Sequence, residues 1–462
     1  MITLDNIDNL RKYKHIHLIG IGGVSMSGIA EILHHFGLFV TGSDCTKSKV
    51  TDRLSSHGIF VSIGHSTSLV EKSDLVIYSA AIKQNDPELA YAKSHNILTI
   101  ERADFVGFLT RVYNNTIGVS GTHGKTTTTS MISVCFIEAG LDPNIQVGAY
   151  LKPINGNYRV GKSDYFILEA CEYVESFLKF NPKAAVVLNI DNDHLDYFKT
   201  FDNVVNAFNK YVSLLPRDGL LITNMDDENC ANLRKSTYAK VVTFAINNSK
   251  ANFVAKNISF DTNGFPKFDV YFNNTFYAEI KLSIPGAHNV YNALACIALC
   301  HNYGIDKYTI KKALRSFTGA SRRFELVGSY NNISVYDDYA HHPSEILAVS
   351  NALNNKKYRQ SWVVFQPHTY SRTKELLDDF AKALLNFNNI IITDIYAARE
   401  QDRYGISAQN LVNKINSLGK KAIYIKNFDD IATYIKERAC PNDIVLTIGA
   451  GTVVEVSKKI LL

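Results

Sequence analysis

The stretch Thr116-Ile-Gly-Val-Ser-Gly-Thr-His-Gly-Lys-Thr-Thr-Thr-Thr129 decides how the centre of this chain folds. A short apolar run leads into a glycine loop, and Lys125-Thr126 opens a helix-prone segment that continues to Gly140. In such a loop the backbone N–H groups cradle phosphate oxygens, the lysine bridges terminal phosphates, and the threonine hydroxyl holds Mg²⁺. Val119 stands where the strict pattern has a glycine. The order of strand, loop and helix is kept, which predicts a nucleoside triphosphate site.

The composition of the chain limits the classes of protein to which it can belong. A length of 462 residues suggests roughly three domains, and 46% hydrophobic with 20% charged residues is typical of globular proteins. The net charge of +5 arises without long single-sign runs and argues against nucleic acid as the main partner. The seven scattered cysteines do not predict a disulfide framework. Cys296 and Cys300 share one face of an apolar helix and are expected to pack in the core.

No secretory signal or membrane span is visible in the sequence. The N-terminus lacks a basic segment followed by an apolar core, and no apolar run approaches the roughly 20 residues of a spanning helix. We therefore expect a cytoplasmic, reduced protein without membrane insertion.

Residues 1–104 alternate short apolar runs with helical patterns. The runs at 15–20, 39–41, 75–80 and 97–100 predict strands, and the alternation predicts a parallel sheet flanked by helices. Asp86-Pro87 predicts a helix start, with Asp86 as the N-cap and Pro87 as the first helical residue.

Residues 105–320 contain the phosphate loop, followed by predicted strands at 165–168 and 184–189. Around 252–284 the apolar period changes to two, and Asn263-Gly264 and Asn273-Asn274 supply hairpin turns, which predicts a small antiparallel insert. An apolar helix from about Asn289 to Tyr303 is closed by Gly304.

Residues 321–462 return to strand–helix alternation, with predicted strands at 333–336, 362–366, 390–394, 422–425 and 444–448. The sequence thus predicts an α/β protein of three domains. These are a Rossmann-like N-terminal domain (1–104), a central ATPase-type domain with a phosphate loop (105–320), and a Rossmann-like C-terminal domain (321–462).

A second glycine turn follows the first predicted strand. In Gly20-Ile-Gly22-Gly23-Val-Ser25 the first two glycine positions match a dinucleotide fingerprint, but Ser25 occupies the third. Asp44 follows the second strand at about the distance expected of a ribose-binding acid. A nicotinamide site, another nucleotide-diphosphate site and a structural turn all remain open, and the second is favoured.

Two polar residues complement the phosphate loop. Glu169 ends one predicted strand and His194 lies beyond the next. Ligands of parallel sheets lie beyond the carboxyl ends of the strands, so Thr126, Glu169 and His194 are expected to converge. A carboxylate and a hydroxyl suit Mg²⁺, and an imidazole suits a second or water-bridged ion. The alternatives are a position beside a helix N-cap for Glu169 and a surface histidine for His194.

Further candidates lie near and beyond residue 285. Asn289 is either a helix N-cap or a nucleotide ligand. Arg323 either closes onto a γ-phosphate or forms a linker salt bridge. Polar residues follow two strands of the third stretch and predict a small-molecule site: Asp338, Tyr339, His341, His368 and Arg372. Zinc is disfavoured there, since the adjacent His341 and His342 point apart.

These motifs together resemble the Mur ligase family. The matching blocks are residues 20–30, 121–129, 169–178, 189–196, 288–295, 321–325, 337–345 and 365–373. The resemblance implies three domains that bind a UDP-sugar, ATP and an amino acid. Three blocks narrow the implied reaction: Gly-Ile-Gly-Gly-Val-Ser-Met-Ser-Gly, Asp-Asp-Tyr-Ala-His-His-Pro and Phe-Gln-Pro-His. They imply joining of L-alanine to UDP-N-acetylmuramate in peptidoglycan precursor synthesis, with ATP and Mg²⁺, by a monomer or weak homodimer.

The resemblance also implies residue roles. The ATP-binding residues are Gly121, Thr122, His123, Gly124, Lys125, Thr126, Thr127, Asn289, Asn292, Arg323 and Asp338. The metal residues are Thr126, Glu169 and His194, and the catalytic residues are Lys125, Glu169, His194 and Arg323. The UDP-sugar residues are Gly20, Gly22, Gly23, Ser43, Asp44 and His65. The amino-acid residues are Tyr339, His341, His368 and Arg372.

The chain departs from the family pattern at two places, and rival functions exist. Thr369 stands where many relatives have arginine, and residues 169–176 are less acidic than is common. The nearest rival is a recycling ligase that attaches a tripeptide to the same sugar nucleotide. Rivals of other classes are a phosphate-loop NTPase coupled to transport or signalling, and a nicotinamide-dependent oxidoreductase.

Overall fold

The computed structural model describes residues 7–398 and 400–462. They form three sheets flanked by helices, so the α/β class predicted from the sequence is confirmed. Two compact units can be separated. One contains the chain up to Ala255, with Val270–Ala278 and Tyr291–Ala313. The other contains Lys256–Asp269, Glu279–Val290 and Leu314–Leu462. The domain boundaries at 104/105 and 320/321 stay predictions.

The first sheet is parallel and has the strand order β3-β2-β1-β4-β5. Its strands are β1 (His15–Ile19), β2 (Phe39–Asp44), β3 (Phe60–Ile63), β4 (Leu75–Tyr78) and β5 (Leu98–Glu101). Its helices are α1 (Ile7–Leu10), α2 (Val24–His35), α3 (Lys49–Ser56), α4 (Thr67–Glu71), α5 (Pro87–Ser94) and α6 (Arg102–Val112). The order reverses between β1 and β4, and such a switch point opens a crevice for ligands.

The start of α5 shows how local sequence sets an element. The Asp86 carboxylate accepts hydrogen bonds from the backbone N–H groups of Glu88 and Leu89, at 3.0 and 3.1 Å. Pro87 occupies the first helical position, where its missing N–H costs nothing. The predicted cap is confirmed.

The second sheet has the order β15-β14-β13-β12-β11-β10-β6-β9-β7-β8. Its first strands are β6 (Asn115–Ser120), β7 (Asn144–Leu151), β8 (Gly156–Arg159), β9 (Tyr165–Glu169) and β10 (Ala184–Val187). The others are β11 (Leu220–Asn224), β12 (Lys240–Ala245), β13 (Phe253–Phe260), β14 (Pro266–Phe272) and β15 (Thr275–Lys281). Strands β9, β6, β10, β11 and β12 are parallel neighbours. The phosphate-loop strand β6 therefore lies between β9, which ends at Glu169, and β10, which precedes His194 in the chain.

Helices connect these strands. They are α7 (Lys125–Glu138), α8 (Leu195–Phe198), α9 (Phe201–Ser213), α10 (Glu228–Asn232), α11 (His288–Asn302) and α12 (Lys307–Ser316). Short 3₁₀ turns lie at Lys152–Ile154, Tyr173–Lys179 and Leu233–Ser236. Between β14 and β15, Asn273 and Asn274 both have positive φ, 46° and 65°, as a two-residue hairpin turn requires.

The hairpin of β7 and β8 joins the first two sheets. The Gln146 side-chain amide donates to the Ser25 hydroxyl, and the Asn157 amide donates to the Val24 carbonyl at the start of α2. A Cβ on Gly28 of α2 would lie 3.2 Å from the Tyr158 Cβ, so the helix and β8 approach closely. Buried apolar residues of both sheets accordingly form one continuous core.

The third sheet has the order β16-β17-β21-β18-β19-β20. Its strands are β16 (Glu325–Tyr330), β17 (Ile333–Asp338), β18 (Ser361–Phe365), β19 (Asn389–Ile392), β20 (Ala422–Tyr424) and β21 (Ile444–Ile448). Its helices are α13 (Pro343–Leu353), α14 (Tyr370–Glu375), α15 (Leu377–Leu384), α16 (Ala408–Ser417), α17 (Phe428–Arg438) and α18 (Val454–Leu461). Only the edge pair β16–β17 is antiparallel. Within the described part of the chain, every helix is too short or too polar to cross a bilayer.

Candidate active site

The phosphate loop connects β6 to the 14-residue helix α7. Gly124 lies directly before the helix with a φ of 86°, and Gly121 has a φ of 131°, so both occupy backbone conformations that favour glycine. The first N–H groups of α7 and the positive end of its dipole face the end of the loop. This arrangement suits phosphate oxygens, as the sequence predicts.

The loop is held in shape by the segment after β10. The Thr122 backbone N–H donates to the Asn189 carbonyl at 3.1 Å. The His123 N–H donates to the Asn189 side-chain oxygen at 2.8 Å, and the Asn189 side-chain amide donates back to the His123 carbonyl at 3.0 Å. His123 Nε2 lies 3.1 Å from Asp191 Oδ2. These bonds fix the loop backbone through the N–H groups of Thr122 and His123.

The Lys125 ammonium folds back over its own loop. It donates to the carbonyls of Gly121 and Thr122 and to both oxygens of Glu172, the latter at 3.0 and 2.9 Å. Burial by itself lowers the pKa of Lys125, but the Glu172 carboxylate outweighs it and the pKa is raised. Lys125 is therefore cationic and poised at the loop. Glu172 is 2% exposed and holds it there.

Thr126 and Glu169 form a pair of oxygen donors beside this lysine. The Thr126 hydroxyl donates to Glu169 Oε2 at 3.1 Å. The Gly148 N–H donates to Glu169 Oε1, and a Cβ at Gly148 would lie 2.9 Å from both carboxylate oxygens. Hydroxyl and carboxylate oxygens are the ligands that Mg²⁺ prefers, so the residues present fit the ion.

His194 lies at the edge of the same cluster. Its Nε2 is 4.0 Å from Glu172 Oε1 and 3.8 Å from Asp193 Oδ2, and its ring packs against Tyr173. His194 has a φ of 58°, and in the facing 3₁₀ turn Val174 has a φ of 49°. Positive φ is costly for a β-branched residue, so this segment holds strain of the kind found at functional sites.

Asn292 on α11 closes over the phosphate loop. A Cβ on Gly124 would lie 2.6 Å from the Asn292 side-chain oxygen, so only glycine permits this approach. Thr127, the third residue of α7, is half-buried. The structure thus brings Lys125, Thr126, Glu169 and Asn292 together in one unit.

Alanine at Gly124 tests the close approach. We expect Gly124→Ala to cost about 1–3 kcal/mol of nucleotide binding through overpacking, and so to raise the KM for ATP by roughly 5- to 150-fold. Gly140→Ala is the matched control, because Gly140 also has a positive φ, 70°, but no atom within 4 Å of the added Cβ. Both variants should lose stability, and only the first should lose affinity. Steady-state kinetics with thermal unfolding would contradict the assignment if both raised the KM equally.

The N-terminal glycine turn follows β1 at the switch point of the first sheet. The N–H groups of Gly20 and Ile21 donate to the Ser43 carbonyl at 2.8 and 2.9 Å. The Gly22 N–H donates to Asp44 Oδ2 at 2.9 Å, and a Cβ at Gly22 would lie 2.8 Å from that oxygen. Gly23 follows as the N-cap of α2. The turn is thus tied to the end of β2.

His65 and Ser43 lie around a buried carboxylate that the sequence did not single out. Glu88 is 0% exposed, accepts from the Ser43 hydroxyl at 2.6 Å, and lies 3.3 Å from His17 Nε2. His65 Nδ1 lies 3.5 Å from the same carboxylate. Burial alone raises the pKa of Glu88, but the neighbouring His17 imidazole and the hydrogen bond from the Ser43 hydroxyl lower it to about 2.

In the other unit, Arg322 and Arg323 both lie beside Tyr339. The Arg322 guanidinium donates to Asp337 at 2.8 Å and to the carbonyls of Gly449 and Gly451. Both guanidinium groups lie over the Tyr339 ring, at 5.0 Å from its centroid for Arg322 and 5.4 Å for Arg323. Arg322 therefore anchors the segment to the glycine turn after β21, and both arginines lie beside Tyr339, one of the predicted amino-acid residues.

Asp338 ends β17 and fixes the same segment. Its two carboxylate oxygens accept from the N–H groups of Phe324 and Ala340, both at 2.7 Å. Burial raises the pKa of Asp338 to about 6, and the nearby Arg323 and the two backbone donors oppose this shift only in part.

Asp338 gives a testable pH dependence. Its pKa is raised in the folded state above the ordinary value of 3.8, so the folded state binds more protons between these values. The stabilisation that Asp338 contributes is therefore fully present below about pH 4 and is lost, by about 2–3 kcal/mol, as the pH rises through about 6. Asp338→Asn should abolish this component. Urea unfolding at pH 4.5 and 7 checks it, and a wild-type-minus-variant difference that is independent of pH would contradict the prediction.

The predicted amino-acid residues form two groups on neighbouring parts of the third sheet. His341 follows β17, and its ring centroid is 5.6 Å from that of His368, which follows β18. Burial, with His341 and Arg372 nearby, lowers the pKa of His368 to about 4. Thr369 has a φ of 64°, which is strained for a β-branched residue, and its N–H donates to the Tyr396 carbonyl.

Two sequence expectations are refined by the geometry. The helix α11 begins at His288, so Asn289 is inside its first turn rather than its N-cap, and its side-chain amide donates to the Pro285 carbonyl at 2.6 Å. Cys296 and Cys300 are 0% exposed, which confirms their core position.

Sequence reasoning missed several residues that hold the site. They are Gly148, Glu172, Asn189, Asp191 and Glu88. Glu172 carried a usable signal, because it is an acid three positions after Glu169 in a segment already singled out. Gly148 and Glu88 act through contacts distant in sequence and carried none.

A phosphate loop on a parallel sheet, with a sheet of Rossmann type before it in the chain and another after it, is the arrangement of the Mur ligases. The chain belongs to this family. The Mur ligase family catalytic domain matches residues 15–114, the Mur ligase middle domain matches 119–300, and the Mur ligase glutamate ligase domain matches 322–451.

Individual relatives match almost the whole chain. It is 49% identical over 450 residues to the UDP-N-acetylmuramate–L-alanine ligase of Acetivibrio thermocellus, covering 97% of this chain and 96% of the relative. The crystal structure of the UDP-N-acetylmuramate-alanine ligase of Thermotoga maritima is 29% identical, with a TM-score of 0.83 over 97% of this chain and 98% of that one. A murein peptide ligase from Psychrobacter arcticus shares the fold at 24% identity, with a TM-score of 0.73 and the same coverage.

Proposed function

We propose that the protein is an ATP-dependent ligase that joins L-alanine to the carboxylate of UDP-N-acetylmuramate, giving ADP and phosphate. The observation that carries the proposal is the cluster of Lys125, Thr126 and Glu169 at the start of α7, which combines a cation, a hydroxyl and a carboxylate at a helix N-terminus. The 49% identity to an alanine ligase over 97% of the chain supports the choice of substrates.

The first chemical step joins two anions. The sugar carboxylate attacks the γ-phosphorus of ATP, the bond to the β–γ bridging oxygen breaks, and ADP leaves with an acyl phosphate remaining. Repulsion between carboxylate and triphosphate opposes this approach, and the Lys125 ammonium and the N–H groups of α7 offset it. Lys125 exchanges its Glu172 and loop-carbonyl contacts for phosphate oxygens in this step.

The second step forms the amide. The neutral amine of L-alanine attacks the acyl carbon, a tetrahedral intermediate forms, and phosphate leaves as the amine loses its proton. Holding the carboxylate, phosphate and amine in line removes roughly 7–11 kcal/mol of barrier for well-oriented reactants. Arg323 and Asp338 are proposed to act at the ATP and Tyr339, His341, His368 and Arg372 to bind the amino acid.

Mg²⁺ is the proposed metal. Thr126 and Glu169 would hold it directly, and His194 would support a second ion. When bound, it supplies charge neutralisation on the phosphate oxygens. The UDP-sugar is proposed to bind at the turn of Gly20, Gly22 and Gly23 with Ser43, Asp44 and His65. Because ATP is the proposed energy source, we place the reaction in the cytoplasm. Monomer or weak homodimer stays the prediction for its assembly.

An acceptor panel tests the proposed function. ADP and inorganic phosphate are measured with UDP-N-acetylmuramate, ATP, Mg²⁺ and each amino acid in turn. We expect turnover to be highest with L-alanine and detectable with glycine or L-serine, because one methyl group discriminates by only about 1–3 kcal/mol. Formation of AMP and pyrophosphate, or ATP cleavage at full rate without the sugar, would exclude this reaction.

The recycling ligase is the second candidate, because the murein peptide ligase fold matches over 97% of the chain. The same assay with the tripeptide in place of L-alanine separates the two. A preference for the tripeptide in kcat/KM would replace the proposed substrate and leave the chemistry of the phosphate loop unchanged.

A further inference from the structure

Three buried thiols converge in the core beside the phosphate-loop helix. Cys135 lies on α7, and Cys296 and Cys300 lie one turn apart on α11. All three are free thiols and 0% exposed. The Cys135 and Cys296 sulfurs are 3.6 Å apart, and those of Cys296 and Cys300 are 3.9 Å apart. Packing alone does not require three sulfurs to meet at one point.

The sulfur spacing fits one three-coordinate centre. The three sulfurs all lie within 4.8 Å of one another. A disulfide would need about 2.0 Å, and linear coordination by two sulfurs would need about 4.6 Å for bonds of about 2.3 Å. Three sulfurs bonded at about 2.3 Å to one centre lie roughly 3.5–4.0 Å apart. The 3.6 and 3.9 Å separations fall in that interval.

Charge decides which centre the site takes. All three sulfurs lie in the core at 0% exposure, so the net charge of an occupied centre has no water to solvate it. Three thiolates around a monovalent or divalent metal ion would leave a net negative charge in a dry core, which is costly. Three thiolates around a trivalent centre are neutral overall.

We propose that Cys135, Cys296 and Cys300 form a capture site for a trivalent thiophilic metalloid, with arsenic(III) as the representative. Arsenous acid carries three hydroxyl groups. Each S–H gives its proton to one hydroxyl, which leaves as water, and an As–S bond forms in its place. One arsenous acid and three thiols thus give one As(S-Cys)₃ centre and three waters. No electron is transferred, and reactants and products are both neutral.

The three thiols connect helix α7, which starts at the phosphate loop, to helix α11, which contacts that loop. Lys125 and Thr126 start α7, and Asn292 lies one turn before Cys296 on α11. Because the thiols are 0% exposed, capture requires local opening of these helices. A nucleotide bound at the helix starts should therefore slow capture. This kinetic expectation rests on the proposed function, whereas the stoichiometry of capture does not.

The test uses the reduced full-length protein with sodium arsenite. Native mass spectrometry should show one arsenic per chain in exchange for three hydrogens, and arsenic K-edge absorption should show three sulfur neighbours. Cys296→Ala should lose the three-sulfur centre. Cys440→Ala, which removes an exposed thiol, should keep it.

Several outcomes would overturn the proposal. They are no stoichiometric arsenic, a centre with two sulfurs, three-sulfur capture that survives Cys296→Ala, or a loss of two hydrogens without arsenic, which indicates a disulfide. If Cys296→Ala does not fold, the absorption spectrum of the wild-type protein decides the question. Adding an ATP analogue should slow arsenic capture. If the analogue leaves the rate unchanged while the three-sulfur centre still forms, the result counts against the nucleotide site and not against the thiol site.

Discussion

Replacing Lys125 by alanine is expected to lower the rate of ADP formation by about 10³-fold while binding of the UDP-sugar persists. The ammonium lies over the loop, and its contacts with the Gly121 and Thr122 carbonyls place it where terminal phosphates would lie. Its loss removes charge stabilisation from the step in which one anion attacks another. ADP release under saturating substrates and calorimetric binding of the UDP-sugar are the two measurements.

Lys125→Ala also leaves the buried Glu172 carboxylate without its cationic partner, so the thermal stability of the variant needs its own control. Glu172 is 2% exposed, and removing its partner leaves an uncompensated charge. The double variant Lys125→Ala/Glu172→Gln should regain thermal stability without regaining activity. Lys183→Ala removes a more exposed ion pair with Asp218 and should change neither property. Substantial ATP turnover by the folded Lys125 variant would disprove the assigned role.

Glu169→Gln is expected to have the second large effect. The amide keeps the size of the side chain and can still accept a hydrogen bond from Thr126 or Gly148, but it lacks the charge that Mg²⁺ requires. We expect kcat to fall by about 10²–10³-fold, and the Mg²⁺ concentration for half-maximal rate to rise.

A magnesium titration of ADP release is the measurement for Glu169→Gln, with thermal unfolding alongside. Glu138→Gln is the matched control, because it removes an ion-paired carboxylate from the opposite end of α7. If Glu169→Gln and the wild-type protein share the same Mg²⁺ dependence, Glu169 is not a metal ligand.

The sequence correctly predicted those helix starts that depend on residues close to each other in the chain. The start of α7 and the cap at Asp86 depend on residues within a few positions of each other, and both lie where the pattern places them. Strand β3 was not predicted, because it is a half-exposed edge strand whose terminal residues Phe60 and Ile63 face solvent. Strand β16 was missed as well, since its partly exposed pattern lacks a buried apolar run.

The sequence predicted the side chains that would bind phosphate and metal, but it did not predict the residues that hold those side chains in place. Strand ends in a parallel sheet place Thr126 and Glu169 together from topology alone. The Lys125–Glu172 pair spans 47 residues, and the Gly148–Glu169 contact spans 21. Both depend on how chain segments pack, and a single sequence contains no periodicity that reports such contacts.

The hairpin of β7 and β8 carries a consequence for how the substrates communicate. The side-chain amides of Gln146 and Asn157 donate hydrogen bonds to the beginning of α2. Gly148 lies two residues after Gln146 on β7, and its N–H donates to the Glu169 carboxylate. A ligand that shifts the N-terminal turn would therefore also displace the Glu169 carboxylate, which is proposed to bind Mg²⁺. Binding at one end is therefore expected to change the affinity at the other end, and this coupling is reciprocal.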